Sequence, residues 1–170
     1  MAIDAEVGGS SANSYVSIAD ADTFFEVRSY ASAWTSASDE NKEASLVQAT
    51  RVANVSYDFL GSISTQAQAL RWPRSSVYDQ DGRLYADDEL PKLLTDAICD
   101  YALYILQSDL LADDGANLID EMEIGPIRLD FDKSKEKELI PSIVHDQLML
   151  LSENRSNLSQ GVVSMPVTRT

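Results

Sequence analysis

The chain has 170 residues, 44% of them hydrophobic, with 13 Lys and Arg against 28 Asp and Glu for a formal net charge of −15. That length fits one domain with a modest appendage, and the apolar share is enough for a real core. Such an acid excess repels phosphate unless its few cations cluster, so it disfavours dedicated DNA or RNA binding.

One Cys, Cys99, and one His, His145, exclude an intrachain disulfide, a paired-thiol metal site and a histidine-rich cluster. The opening Met1-Ala2-Ile3-Asp4-Ala5-Glu6 is acidic and has no long apolar run. No stretch is long enough to span a membrane. The expectation is a soluble chain made in a reducing cytoplasm, without cofactor or metal.

In chain order, residues 1–14 read as irregular, and Gly8-Gly9-Ser10-Ser11 is a turn, because no Gly-Lys-Ser/Thr follows to make a phosphate cradle. A first helix is predicted from a Ser17 cap to about Ser29, with Ile18, Ala21, Phe24, Phe25 and Arg28 on its inner side. Ala33-Trp34 in the connection should pack across helix ends. A second helix starts at a Ser38 cap with Asp39 and Glu40 in its first turn. Leu46, Thr50, Ala53, Tyr57 and Leu60 recur at three and four residues, and Gly61 is its expected stop.

Residues 62–88 form an excursion, in which Val77-Tyr78 and Leu84-Tyr85 flank the tight-turn pair Asp81-Gly82 as a short hairpin. Asp79-Gln80-Asp81-Gly82 echoes a calcium loop. Arg83 and Leu84 stand where that loop needs Asn or Asp and then Gly, and Leu90 stands where it needs Glu. A third helix opens near Asp88-Glu89-Leu90-Pro91 and places Leu94, Ala97, Ile98, Tyr101 and Ile105 on one face, with Cys99 as a small packing residue. Glu121 to Phe131 then alternates at period two, with a turn or bulge at Gly125-Pro126. After the charged connector 133–138, a fourth helix starts near Ile140-Pro141 with the stripe Ile143, Val144, Gln147, Leu148 and Leu151. His145 lies beside that stripe.

The predicted class is therefore mainly α, a four-helix bundle with a short β-hairpin excursion, a second strand pair and an extended C-terminal arm. The division is 1–153 for the helical domain and 154–170 for the arm. Those last 17 residues hold no acid, although all 28 acids precede them. Arg155 and Arg169 give the arm charge, and Leu158, Val162, Val163, Met165 and Val167 give it apolar grip. It reads as a segment that orders on a partner.

The segment Gln68-Ala69-Leu70-Arg71-Trp72-Pro73-Arg74 admits two roles. Trp72 and Pro73 could plug the loop from beneath, or a base could stack on Trp72 with Arg71 and Arg74 on phosphates. The acids that follow, Asp79, Asp81, Asp87, Asp88 and Glu89, favour the plug. Acid pairs such as Glu121/Glu123 are more simply solvated than catalytic. With no nucleophile signature and no His partner, no enzymatic activity is expected.

These pieces resemble a group of tailed-bacteriophage proteins. The resemblance rests on Ala12-Asn13-Ser14-Tyr15-Val16-Ser17-Ile18-Ala19-Asp20-Ala21-Asp22 with Phe24-Phe25, on Trp34, and on the helix that ends near Tyr57. It continues through residues 68–74, Asp81-Gly82, Leu90-Pro91 and Ile124-Gly125-Pro126-Ile127. The group is often labelled DnaT-like single-stranded-DNA-binding, and its architecture is similar to phage head–tail connector or adaptor proteins.

The resemblance implies a structural virion protein of the head–tail neck, made in the host cytoplasm. It would form a ring, usually a dodecamer, below the portal. Its implied partners are the portal, tail or neck proteins and copies of itself, with double-stranded DNA passing through without specific contact. In that reading Arg155, Leu158, Val162, Val163, Met165, Val167 and Arg169 dock on the portal or a neighbour. The alternative is a DnaT-like single-stranded-DNA-binding replication protein. The acid excess favours the adaptor, since a groove that holds single strands needs positive charge and aromatic platforms.

Overall fold

The computed structural model describes residues 2–108, 121–124, 127–130 and 139–153. Its elements are α1 (Ile18–Glu26), α2 (Ser32–Thr35), α3 (Asp39–Ser56), β1 (Ser62–Ile63), β2 (Arg74–Ser75), α4 (Lys92–Gln107), β3 (Glu121–Ile124), β4 (Ile127–Asp130) and α5 (Ser142–Met149). The chain is mainly helical with antiparallel strand pairs. The expected four-helix bundle becomes five helices among the described residues, because the connection around Trp34 closes its own turn as α2. The arm, 154–170, lies outside the described residues.

α4 is the central element and packs against α3, α5, α2 and α1. Its sequence is apolar on nearly every side, and residues 97–103 are all buried. That is what a helix surrounded by others requires. α3 contributes Leu46, Ala49, Thr50 and Ala53, and α5 contributes Val144 and Leu148.

The predicted caps form. Ser17 Oγ accepts from the Asp20 amide at 3.2 Å, and Ser38 Oγ from the Asn41 amide at 3.4 Å. Trp34 is buried, stacks on Phe25 at 4.6 Å and donates from Nε1 to Asp22 Oδ1 at 2.8 Å. Lys42 Nζ closes this corner from 2.9 Å off the same oxygen. These bonds hold the Asp22 carboxyl below the usual range, Lys42 first and Trp34 second.

α3 ends at Ser56, five residues before the predicted stop at Gly61. Tyr57 is extended (φ −121°, ψ 137°), and residues 58–60 pair with residues 151–153. Tyr57 and Phe59 are both buried while Asp58 and Leu60 are only partly so, which is the alternation of a strand. Pairing with the chain beyond α5 thus outcompetes another helical turn. Gly61 serves this crossing instead of a helix cap. Its φ is +73°, and a Cβ there would stand 2.2 Å from the Ser75 oxygen.

β1 pairs with β2 across the excursion, a pairing absent from the sequence reading. The expected hairpin forms in its shortest version, a Tyr78–Leu84 bridge flanked by bonds from the Tyr85 amide to Val77 at 2.9 Å and from the Asp79 amide to Arg83 at 2.8 Å, around a turn at Gly82. Asp79 Oδ1 fixes that turn by accepting from the amides of Asp81 at 2.9 Å and Arg83 at 2.7 Å. β3 and β4 pair antiparallel, with Ile124 opposite Ile127, while the expected turn or bulge at Gly125-Pro126 lies outside the described residues.

Candidate nucleic-acid interface

The loop 68–74 is held by its own arginines. Arg74 Nε donates to the Leu60 carbonyl at 2.6 Å, Nη2 to Gly61 at 2.7 Å and Nη1 to Arg71 at 3.2 Å. Arg71 Nη1 bonds the Tyr57 carbonyl and Asp58 Oδ1, each at 3.1 Å. These contacts satisfy carbonyls left open where α3 gives way to extended chain. The peptide bond between Trp72 and Pro73 is cis.

The Trp72 indole is 1% exposed and meets Phe59 and Tyr85 edge-on at 5.9 and 6.4 Å. Pro73 is buried beside it. An indole in this position offers no face to a base. Arg74 is likewise committed to backbone, whereas the Arg71 side chain keeps 44% of its surface exposed.

Leu70 leads from this loop into a groove of about 240 Å³ along the outer side of α3, with Asn13, Val47, Thr50, Arg51, Asn54 and Val55. Among the described residues no carboxylate lines it. Arg51 is exposed and makes no ion pair among the described residues. Tyr15 braces two of these residues, its hydroxyl donating to Asn54 Oδ1 and its amide to Thr50 Oγ1 at 3.2 Å. Burial holds the Tyr15 hydroxyl well above its usual pKa, so it stays a donor. The groove offers an apolar wall of Val47, Val55 and Leu70, with the Arg51 side chain along it. The sequence reading missed it, though Val47, Arg51 and Val55 recur every four residues on the side of α3 opposite the core stripe.

The other residues singled out from sequence lie elsewhere. Cys99 is 2% exposed, and burial first, then Asp96 and Asp100, push its thiol up to about 12, so no thiolate exists at neutral pH. His145 sits on the surface of α5, where Nδ1 meets the Tyr57 hydroxyl at 2.8 Å. Asp79 is committed to its turn, and no metal-holding group of three or more His, Cys, Asp or Glu occurs among the described residues. No described helix is long and apolar enough to cross a membrane. Arg155, Leu158, Val162, Val163, Met165, Val167 and Arg169 lie outside the described residues.

A family model described as "Putative DnaT-like ssDNA binding protein" matches residues 1–170. No curated protein and no solved structure matches the chain. The whole-chain match overturns the head–tail adaptor reading and backs its alternative. The physical reason for the error is visible in the fold. Many of the residues that carried the resemblance, such as Tyr15, Ala21, Phe25, Trp34 and Trp72, are buried. Such residues specify a scaffold and leave its partner open.

Proposed function

The chain belongs to this DnaT-like single-stranded-DNA-binding family, and from that premise we propose that it binds single-stranded DNA along the groove beside Arg51. The observation that carries the site is local. On a chain of net charge −15, this groove has, among the described residues, no carboxylate in its lining and an arginine free of ion pairs. Screening acts over about 8 Å at physiological salt, so the lining of a groove outweighs acids on distant faces. Arg51 and the open edge of Arg71 would meet phosphates, while Val47, Val55 and Leu70 pack on bases. α1, α3, α4 and α5 then act as a compact helical bundle that keeps this face rigid. We read the role as binding without catalysis.

Fluorescence anisotropy of labelled single- and double-stranded oligonucleotides over a salt series tests this. The expected result is a preference for single strands that weakens steeply with salt and is lost on Arg51→Glu. Equal binding of both forms, or an Arg51→Glu chain that binds like wild type, would sink the proposal.

A further inference from the structure

A second concave site lies away from the Arg51 groove, where the 77–85 turn faces the start of α4 and the end of α5. It encloses about 300 Å³, with an apolar floor of Tyr85, Leu93, Leu150 and Leu151 and a rim that includes Asp79 and Asp81. Leu150 is 49% exposed although it sits beside the buried Leu151. Asp81 meets Arg83 only at 3.5 Å, with both side chains more than 70% exposed. A pair so solvated is weak and readily exchanged. The cleft therefore suits an apolar segment that carries cations and no acid.

Residues 154–170 have that composition, with Val162, Val163, Met165 and Val167 between Arg155 and Arg169 and no Asp or Glu. We propose that the cleft receives this segment from a second copy of the chain. The direction in which the backbone leaves favours a second copy. The Leu60 amide donates to Leu151 at 3.0 Å and the Glu153 amide to Asp58 at 2.8 Å, on either side of the Phe59–Ser152 bridge. This short ladder carries the chain from Leu151 at the cleft toward Asp58 and Arg71. Return to its own cleft would require a reversal of the chain, which a neighbour's segment does not need. Such a contact is heterologous and repeats head to tail. It does not depend on DNA, so it stands or falls separately from the function proposed above.

Sedimentation of the full chain without DNA, over a range of concentration and salt, tests the contact. Concentration-dependent association is expected. Leu150→Glu and Asp81→Arg should each weaken it at least about tenfold, through a buried charge and like-charge repulsion respectively. Combining Asp81→Arg with Arg155→Glu and Arg169→Glu should restore it. Excess synthetic peptide of residues 154–170 should return the wild-type chain to monomer, a readout that needs no variant to fold. A chain that stays monomeric throughout overturns the proposal, including the case of a segment folded onto its own copy. Association indifferent to the peptide or to the charge exchange overturns it as well.

Discussion

The ring of Trp72 stands edge-on to that of Phe59, centroids 5.9 Å apart at 73°, and this pair joins the 68–74 loop to the strand-like exit of α3. The contact turns a Trp between two arginines into core. Trp72→Ala should lower stability by about 3–5 kcal/mol, as for other buried aromatics. Trp72→Phe should cost clearly less, because Nε1 has no hydrogen-bond partner among the described residues. Urea unfolding of both variants checks the order. Both tryptophans are buried, so saturating single-stranded DNA should leave intrinsic Trp fluorescence unquenched by stacking.

Arg51 and Arg74 should separate binding from folding. Arg51→Ala removes one phosphate contact, so the slope of log K against log salt should flatten by about 0.7 with the thermal midpoint nearly unchanged. Arg74→Ala strands the Leu60 and Gly61 carbonyls. It should cost about 1–3 kcal/mol of stability and leave the salt slope as it was. Paired anisotropy and melting measurements distinguish the two.

Two glycines with the same backbone sign should respond differently to alanine. Gly82 has φ +78° and open space where a Cβ would go, so Gly82→Ala should cost only about 1–2 kcal/mol for the left-handed conformation. Gly61→Ala adds a collision with the Ser75 oxygen at 2.2 Å and Val77 Cγ2 at 2.7 Å. It should destabilise substantially more and disturb the β1–β2 pairing, as thermal melts and amide hydrogen exchange of Ser62 to Ser75 would report.

Alkaline pH should unfold the chain through its buried phenols. Burial pushes Tyr57 and Tyr101 from 10.0 up to about 12, and Tyr101 donates to the Leu139 carbonyl at 2.9 Å. A raised folded pKa gives stability that is complete below pH 10.0 and lost as pH rises through about 12, because the unfolded state releases its protons first. Tyr101→Phe should flatten that loss between pH 10.0 and about 12, relative to wild type, in pH-dependent urea titrations.

Much of the helical frame was legible in the sequence because its signals are local. Ser17 and Ser38 bond amides three residues on, the apolar faces of α3 and α4 repeat at helical spacing, and Gly125-Pro126 separates two alternating runs. Those features need no knowledge of distant chain. The early end of α3 does, since it follows from residues 58–60 pairing with 151–153, more than ninety positions away. So do the roles of the arginines. By sequence Arg71 and Arg74 look alike and flank an aromatic, yet the fold commits Arg74 to carbonyls, leaves Arg71 half open and buries Trp72. Arg51, unremarkable in a helical run, becomes the exposed cation of a groove with no carboxylate among its described lining residues only when Leu70 and Asn13 close it. Composition fixed how acidic the chain is; tertiary packing decided where that acidity is absent, because charge at a site depends on which side chains line it and not on their sum.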